Sequence, residues 1–157
     1  MPKVDIDKVQ LETATTYPDP FWQATVGRGK KRLGNAVGLS QFGVNLTTLN
    51  PGAWSSQRHW HRNEDEFVYV VQGEITLVED HGEITLKAGD AAGWKSSSPV
   101  GHCLINKTQS DAVYLEIGTR SPTETAVYPD IDMRAEKDKT GMRYVKKSGE
   151  PYPVRKA

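Results

Sequence analysis

Between residues 42 and 117 the sequence is a series of short apolar segments separated by turn residues. The clearest segment is 67–72, Phe-Val-Tyr-Val-Val-Gln, and Gly73 separates it from an alternating segment over 74–79. β-Branched and aromatic residues favour strands, and frequent glycine-containing turns favour antiparallel pairing. The sequence therefore predicts an all-β sandwich or barrel, with strands over 42–49, 56–60, 67–72, 74–79, 83–86, 91–94, 102–106 and 113–117.

Composition limits the classes of protein to which the chain can belong. Its 157 residues include 20 Lys and Arg and 20 Asp and Glu, so the formal net charge is zero and no nucleic-acid or acidic-membrane surface is indicated. No apolar run approaches the roughly 20 residues that cross a bilayer. A single cysteine, Cys103, excludes an internal disulfide, and residues 1–12 lack the apolar core of a secretion signal. We expect one soluble, cytoplasmic domain.

The segments on either side of this β-rich region are less regular. Residues 1–39 are expected to form an N-terminal arm or edge strands, residues 40–118 the barrel, and residues 119–157 an irregular C-terminal extension. The extension is rich in charge and proline, so we predict that it packs on the barrel or on the partner of a homodimer. The basic run 27–32 is interpreted as a solvated loop, with an anion-binding loop as the alternative.

Three of the four histidines lie in two stretches of the barrel segment. His59 and His61 are two residues apart, so in a strand their side chains project from one face. Glu66 begins the next predicted strand and can turn its carboxylate towards both imidazoles, and His102 can supply a fourth ligand. These donors suit Fe(II), Mn(II), Zn(II), Ni(II) or Cu(II). We predict one divalent transition metal (Fe, Mn, Zn or Ni), bound more weakly below the pKa of the histidines.

Two further residues are not assigned to the metal. His81 lies in a predicted hairpin turn without partners and is interpreted as a surface residue. Cys103 directly follows His102, so we expect it to face away from the metal and to pack as a buried apolar residue.

The stretch from Gly52 to Gly73 resembles the first motif of the cupin superfamily, in which glycine, His-x-His, glutamate and glycine follow in this order and at close to this spacing. The resemblance selects Glu66 as the ligand, rather than Glu64 or Asp65. It implies a double-stranded β-helix, or jelly-roll, barrel that surrounds one divalent metal.

The second cupin motif is matched in part. Gly89-Asp90 and the pair His102 and Asn106 are present, but Lys95-Ser96-Ser97 replaces the usual Pro-x-Gly between them. Together the two motifs cover roughly residues 40–118, and the resemblance implies that His102 is a ligand.

The cupin resemblance is compatible with several functions, because the superfamily includes dioxygenases, sugar-phosphate isomerases, decarboxylases and non-catalytic binding proteins. Our leading hypothesis is a metal-dependent enzyme that acts on a small polar metabolite, by dioxygenase- or sugar isomerase-like chemistry. Gln57, which shares the histidine face of its predicted strand, is a candidate catalytic residue, and so are Tyr69 and Tyr114 if the strand register turns them inward. The alternative is a cupin that binds or senses a small ligand without turnover, since the predicted interior offers no clear additional acid or base.

Overall fold

The computed structural model describes residues 3–155, and nearly all of their regular structure is β. The exceptions in this range are one short helix, α1 (Leu33–Ala36), and 3-10 turns at Ile6–Lys8 and Phe21–Thr25. No helix among the described residues is long and apolar enough to cross a membrane. The strands are β1 (Leu11–Glu12), β2 (Arg28–Lys31), β3 (Phe42–Leu49), β4 (Trp60–His61), β5 (Glu66–Gln72), β6 (Glu74–Glu79), β7 (Gly82–Lys87), β8 (Ala91–Trp94), β9 (Cys103–Ile105), β10 (Ala112–Thr119), β11 (Glu124–Tyr128), β12 (Met133–Asp138) and β13 (Gly141–Val145).

These strands form three antiparallel sheets, and a backbone bridge joins two of them. One sheet has the order β1-β2-β3-β10-β5-β8, the second β13-β12-β11-β4, and the third β7-β6-β9. His59 and His102 pair as an isolated bridge with N–O distances of 3.1 and 2.9 Å, so the third sheet continues into the second. The six-stranded sheet is one wall of a jelly-roll barrel and the joined sheets are the other. The predicted fold class is confirmed.

Alternate residues of the strands fill the barrel interior. Val68 and Val70 of β5 are fully buried, whereas Phe67, Tyr69 and Val71 are more than 40% exposed. Successive side chains of a strand point to opposite faces, so Glu66, two residues before Val68, belongs to the inward face. The buried apolar cluster around these residues comprises Leu49, Ala53, Val68, Val70, Ile75, Leu77, Leu86, Leu104, Ala112 and Tyr114.

Gly73 forms the turn between β5 and β6 at the end of the first motif. Its φ is +80°, which side chains rarely adopt, and a Cβ built on it would lie 2.9 Å from the carbonyl oxygen of Asp111. Glycine is therefore required here both by backbone conformation and by the close approach of the chain before β10.

The sequence predicted an irregular C-terminal extension. In the structure it forms the strands β11, β12 and β13. Residues Ala126 and Val127 of β11 pair with β4 of the same chain. A second buried cluster lies on this sheet and comprises Tyr17, Ala126, Tyr128, Met133 and Ala135. The prediction was wrong because β11 and β12 have only two or three buried residues each, and those of β12 alternate with the charged Arg134 and Glu136, so the segment reads as charged rather than as apolar.

The basic run 27–32 is mainly a strand, not the predicted solvated loop. In the register of β2, β3 and β10, Lys30 lies opposite Thr47, which lies opposite Tyr114. Cross-strand partners share a face of the sheet, and both Thr47 and Tyr114 are buried. Lys30 and, two residues earlier, Arg28 therefore point into the barrel. The alternation of glycine with basic residues over 27–30 was the signal for this strand.

Candidate metal centre

His59 and His61 reach one site from a segment that is mostly not a strand. The predicted strand over 56–60 is wrong, because residues 55–58 are bends and only Trp60 and His61 form β4. His59 is fixed by its bridge to His102, and His61 by the pairing of β4 with Ala126 of β11. Two separate backbone pairings, rather than strand alternation alone, bring the imidazoles together.

Three of the four predicted ligands converge. The donor atoms of His59, His61 and Glu66 all lie within 4.8 Å of one another. Nε2 of His59 is 3.0 Å from Nε2 of His61, which is 3.3 Å from Oε2 of Glu66. For an ion about 2.1 Å from each donor, these separations correspond to angles of about 90–105° at the ion. The set can hold a divalent transition metal, as expected for two histidines and one acid.

His102, the fourth predicted ligand, joins the group through Glu66. Its Nε2 is 3.1 Å from Oε2 of Glu66, although it is not one of the three mutually close donors. The His102 ring stacks on Trp94 with centroids 3.7 Å apart and planes at 7°. This stack fixes the imidazole so that it faces the carboxylate and lies beside the ion position.

Nδ1 of two rings points away from the centre, to backbone carbonyl groups. Nδ1 of His59 donates to the carbonyl of Gln57 at 2.8 Å, and Nδ1 of His102 donates to that of Val100 at 3.2 Å. A carbonyl oxygen only accepts, so both rings carry a proton on Nδ1, and in the neutral ring this leaves the Nε2 lone pair facing the centre. Backbone partners of this kind set the tautomer of metal-binding histidines.

Glu124 of the C-terminal extension lies behind His61. Its side chain is buried and accepts hydrogen bonds from the backbone N–H groups of Arg62 and Asn63, both at 2.9 Å. One carboxylate oxygen, Oε1, is 3.6 Å from Nδ1 of His61. A carboxylate in this position orients a ligating imidazole and raises its basicity. Sequence reasoning missed Glu124, because only the pairing of β11 with β4 brings it to the site.

Charges at the centre shift pKa values in opposite directions. Burial, and then the neighbouring His61, lowers the pKa of His59 to about 4. Burial also opposes a charge on His61, but the nearby carboxylates of Glu124 and Glu66 outweigh it and raise the pKa of His61 to about 10. At Glu66, burial is outweighed by His102 and His61, which hold its pKa well below the usual range. The centre thus favours positive charge between two carboxylates, which is the charge that a divalent cation would supply.

The altered second motif keeps its contact with the centre. Ser97, where the motif usually has glycine, adopts a φ of +65°. Its Oγ donates to the carbonyl of Arg62 at 2.7 Å and its N–H to that of His61 at 2.8 Å. These bonds offset a backbone strain on the order of 1 kcal/mol, so the loop remains attached to the ligand segment.

The three candidate catalytic residues lie in different surroundings, and two do not face the centre. The Gln57 amide donates to the carbonyl of Phe21 at 2.7 Å, because the bends over 55–58 turn it to the N-terminal segment. Tyr69 lies on the outer face of β5 and is 41% exposed. Tyr114 does face the barrel interior. Burial, and then the Glu116 carboxylate, raises the pKa of Tyr114 well above its usual range, so the hydroxyl keeps its proton.

The two residues left out of the predicted site lie where expected. His81 is exposed in the turn before β7. Cys103 is buried on β9, and burial raises the pKa of its thiol to about 12, so the thiolate is not available as a ligand.

A cavity of about 390 Å³ opens at the metal centre, a volume that suits a small molecule. Besides the three donors, its wall carries charged and polar side chains from β2, β3 and β10, from the residues that directly follow β2 and β10, and from the loop before β5. These are Arg28, Lys30, Arg32, Asn45, Glu64, Asp65, Glu116 and Arg120.

Comparison with known proteins agrees with this geometry. Residues 45–118 match the sequence profile of the cupin domain. A crystal structure described as a sugar phosphate isomerase from a cupin superfamily, from Silicibacter pomeroyi, is 45% identical, covers 97% of both chains and has a TM-score of 0.94. The chain belongs to the cupin superfamily. The match to the cupin domain covers residues 45–118, whereas the similarity to the Silicibacter protein covers nearly the whole of this cupin.

Two more distant structures resemble this cupin. A proposed sugar phosphate isomerase from Acidithiobacillus ferrooxidans is 29% identical over 85% of this chain and 83% of that one, with a TM-score of 0.74. The polyketide cyclase RemF from Streptomyces resistomycificus is 17% identical over 76% and 79%, with a TM-score of 0.62, and shows the fold alone. No curated protein sequence matches this cupin significantly.

Proposed function

We propose that this cupin is a metal-dependent isomerase that interconverts an aldose phosphate and a ketose phosphate. The observation that carries the proposal is the 45% identity, over 97% of the chain, to the Silicibacter pomeroyi protein described as a sugar phosphate isomerase. The site supports it, because His59, His61 and Glu66 open on a polar cavity large enough for a small sugar derivative.

Isomerisation moves one proton between adjacent carbons and exchanges a carbonyl with a neighbouring hydroxyl, so it needs no redox partner. A bound divalent cation would act as a Lewis acid towards the substrate oxygens. The chain has to supply a group that accepts the proton from one carbon and returns it to the other.

We assign this role to Glu116. In the register of β10 and β5, Gly118 lies opposite Glu66 and Glu116 opposite Val68, so Glu116 and Glu66 are neighbours on the inward face.

Contacts from two neighbouring strands hold the Glu116 carboxylate in the cavity wall. Nζ of Lys30 lies 2.8 and 3.0 Å from its two oxygens, and Nδ2 of Asn45 donates to Oε1 at 2.9 Å. Each carboxylate oxygen has two lone pairs. Lys30 and Asn45 use both of those on Oε1, whereas Oε2 accepts from Lys30 alone and retains capacity for a substrate proton. The buried Oδ1 of Asn45 has no hydrogen-bond partner among residues 3–155, which leaves an acceptor for a substrate hydroxyl.

Proton NMR of aldose phosphates in deuterium oxide tests the proposed reaction. The metal-loaded protein should convert one aldose phosphate to its ketose with deuterium exchanged at the reacting carbon. Glu116→Gln should lower kcat by about 100-fold or more while metal binding is retained. Glu83→Gln, the same change at an exposed position on β7, should have wild-type activity.

A metal-loaded protein that bound the aldose phosphates tested, but neither converted any of them nor exchanged deuterium into them, would contradict the assignment as an isomerase. That result would favour a cupin that binds its ligand without turnover.

The homodimer stays a prediction, and the outer face of β5 is the surface we propose for it. Phe67, Tyr69 and Val71 alternate there, each more than 40% exposed. A second copy that packed face to face would cover this apolar row.

Light scattering should give twice the chain mass of 17.4 kDa. Tyr69→Lys should give the monomer mass, and Ile84→Lys, at an equally exposed apolar residue on β7, should not. A wild-type protein of monomer mass would contradict the dimer.

A further inference from the structure

Arg28 is a cation on the inner wall of the cavity. In the register of β2 and β3 it lies opposite Leu49, which is fully buried in the barrel core. Its Nη1 donates to the carbonyl of Ser55 at 2.6 Å, which holds the guanidinium against the segment that leads to His59. Arg28 and Tyr144 both line the cavity. The guanidinium is therefore fixed in place and accessible from the cavity.

The other basic side chains of this strand region that line the cavity, Lys30 and Arg32, already have anionic partners. Nζ of Lys30 is 2.8 Å from Oε1 of Glu116, and Nε of Arg32 is 2.8 Å from Oε2 of Glu12. No carboxylate oxygen among residues 3–155 lies within 4.0 Å of the Arg28 guanidinium. Arg28 therefore brings a positive charge to the cavity wall that the protein does not neutralise, and four of its five N–H donors remain available.

A short series of contacts connects Arg28 to the metal centre. Arg28 contacts the Ser55 carbonyl, Oγ of Ser55 is 3.3 Å from Oγ of Ser56, and Oγ of Ser56 is 3.3 Å from Nδ1 of His59. A ligand of a few carbon atoms could thus place one end at the metal donors and an anionic group at Arg28. Guanidinium groups bind phosphate oxygens in a bidentate manner, and partial burial strengthens that interaction.

We propose that Arg28 forms an anion-binding subsite of the cavity and holds the phosphate group of the substrate. The subsite itself follows from the geometry of Arg28, and only the identity of its ligand rests on the proposed isomerase function. Lys30, already paired with Glu116, contributes to positioning that carboxylate rather than to binding the phosphate.

Inorganic phosphate is the first probe of this subsite. The protein is treated with a chelator beforehand, so that phosphate cannot bind to a metal ion. Wild-type protein titrated with phosphate should show saturable binding by calorimetry, and acetate at the same ionic strength should bind more weakly. Arg28→Gln should weaken phosphate binding by about 10-fold or more, whereas Arg28→Lys should retain part of it because the charge remains.

Lys31→Gln is the matched control, because Lys31 lies on the same strand but on its other face and donates to the carbonyl of Ile6 at 2.8 Å. It should bind phosphate like the wild-type protein. Circular dichroism and the metal affinity of each variant establish that the barrel is intact. Phosphate affinity that is equal in the wild type and in folded Arg28→Gln would overturn the subsite, as would the absence of phosphate binding to the wild type.

Kinetics separate this inference from the proposed function. If the protein isomerises a sugar phosphate, Lys31→Gln should leave KM for that substrate unchanged, whereas Arg28→Gln should raise it by about 10-fold or more. An unchanged KM would remove the subsite and leave the isomerase in place. Phosphate binding that depends on Arg28 in a protein without isomerase activity would support the subsite and remove the isomerase.

Discussion

Glu66→Gln is expected to weaken the binding of a divalent transition metal by more than about 100-fold. Glu66 is the one anionic member of the three close donors, and its Oε2 contacts His61 and His102 at 3.3 and 3.1 Å. Glutamine keeps the size of the side chain but removes the charge and can turn N–H donors towards the imidazoles. Loss of a ligand should exceed the 10–100-fold that is typical when a residue behind a ligand is changed. Competition with a chelator of known affinity measures the change.

Glu83→Gln controls for the chemical change itself. Glu83 is exposed, pairs with Lys107 at 2.6 Å and is neither one of the metal donors nor a residue of the cavity wall. This variant should bind metal with wild-type affinity. If Glu66→Gln, folded as judged by circular dichroism, retained wild-type affinity, the assignment of Glu66 as a ligand would be wrong.

Glu124→Gln should lower metal affinity by about 10–100-fold, even though Glu124 is not expected to touch the ion. The carboxylate accepts two backbone N–H groups at 2.9 Å and lies 3.6 Å from Nδ1 of His61. Glutamine can accept through one oxygen alone, so one of these part-buried N–H groups loses its partner and His61 loses the negative charge behind it. The metal-free protein should also lose about 1–3 kcal/mol of unfolding free energy. Chelator competition and urea denaturation measure the two effects separately.

Glu136→Gln is the matched control in the same sheet. Glu136 lies on β12 and pairs with Arg143 at 3.0 Å at the surface, so its loss should affect neither quantity by much. A Glu124→Gln protein that is less stable but binds metal as tightly as the wild type would show that Glu124 supports the fold and does not position His61.

The sequence predicted strands where apolar β-branched residues dominate. The segments 42–49, 67–72 and 74–79 correspond to β3, β5 and β6 within one residue. Strands β2, β11, β12 and β13 were missed because basic, small or polar side chains interrupt the few large apolar ones, such as Met133, at their buried positions. Arg28 and Ala126 face inward without being large and apolar, so composition suggested loops. Pairing partners, which lie far away in sequence, decide the conformation of these segments.

The site was predictable in its donors but not in what surrounds them. His59, His61 and Glu66 converge as predicted, although His59 does so through its bridge to His102 and not through a strand. Tyr69 was a poor candidate because the register of β5 turns it outward. Glu124 could not be found, since its proximity to His61 depends on a pairing between the extension and a strand of two residues.

The most direct test of the account is anomalous scattering from crystals of the metal-loaded protein. We predict a single strong peak in each chain, about 2.0–2.2 Å from Nε2 of His59, Nε2 of His61 and a carboxylate oxygen of Glu66. A loaded protein with no peak at this position, or with its peak at another group of residues, would contradict the metal centre and the isomerase mechanism built on it.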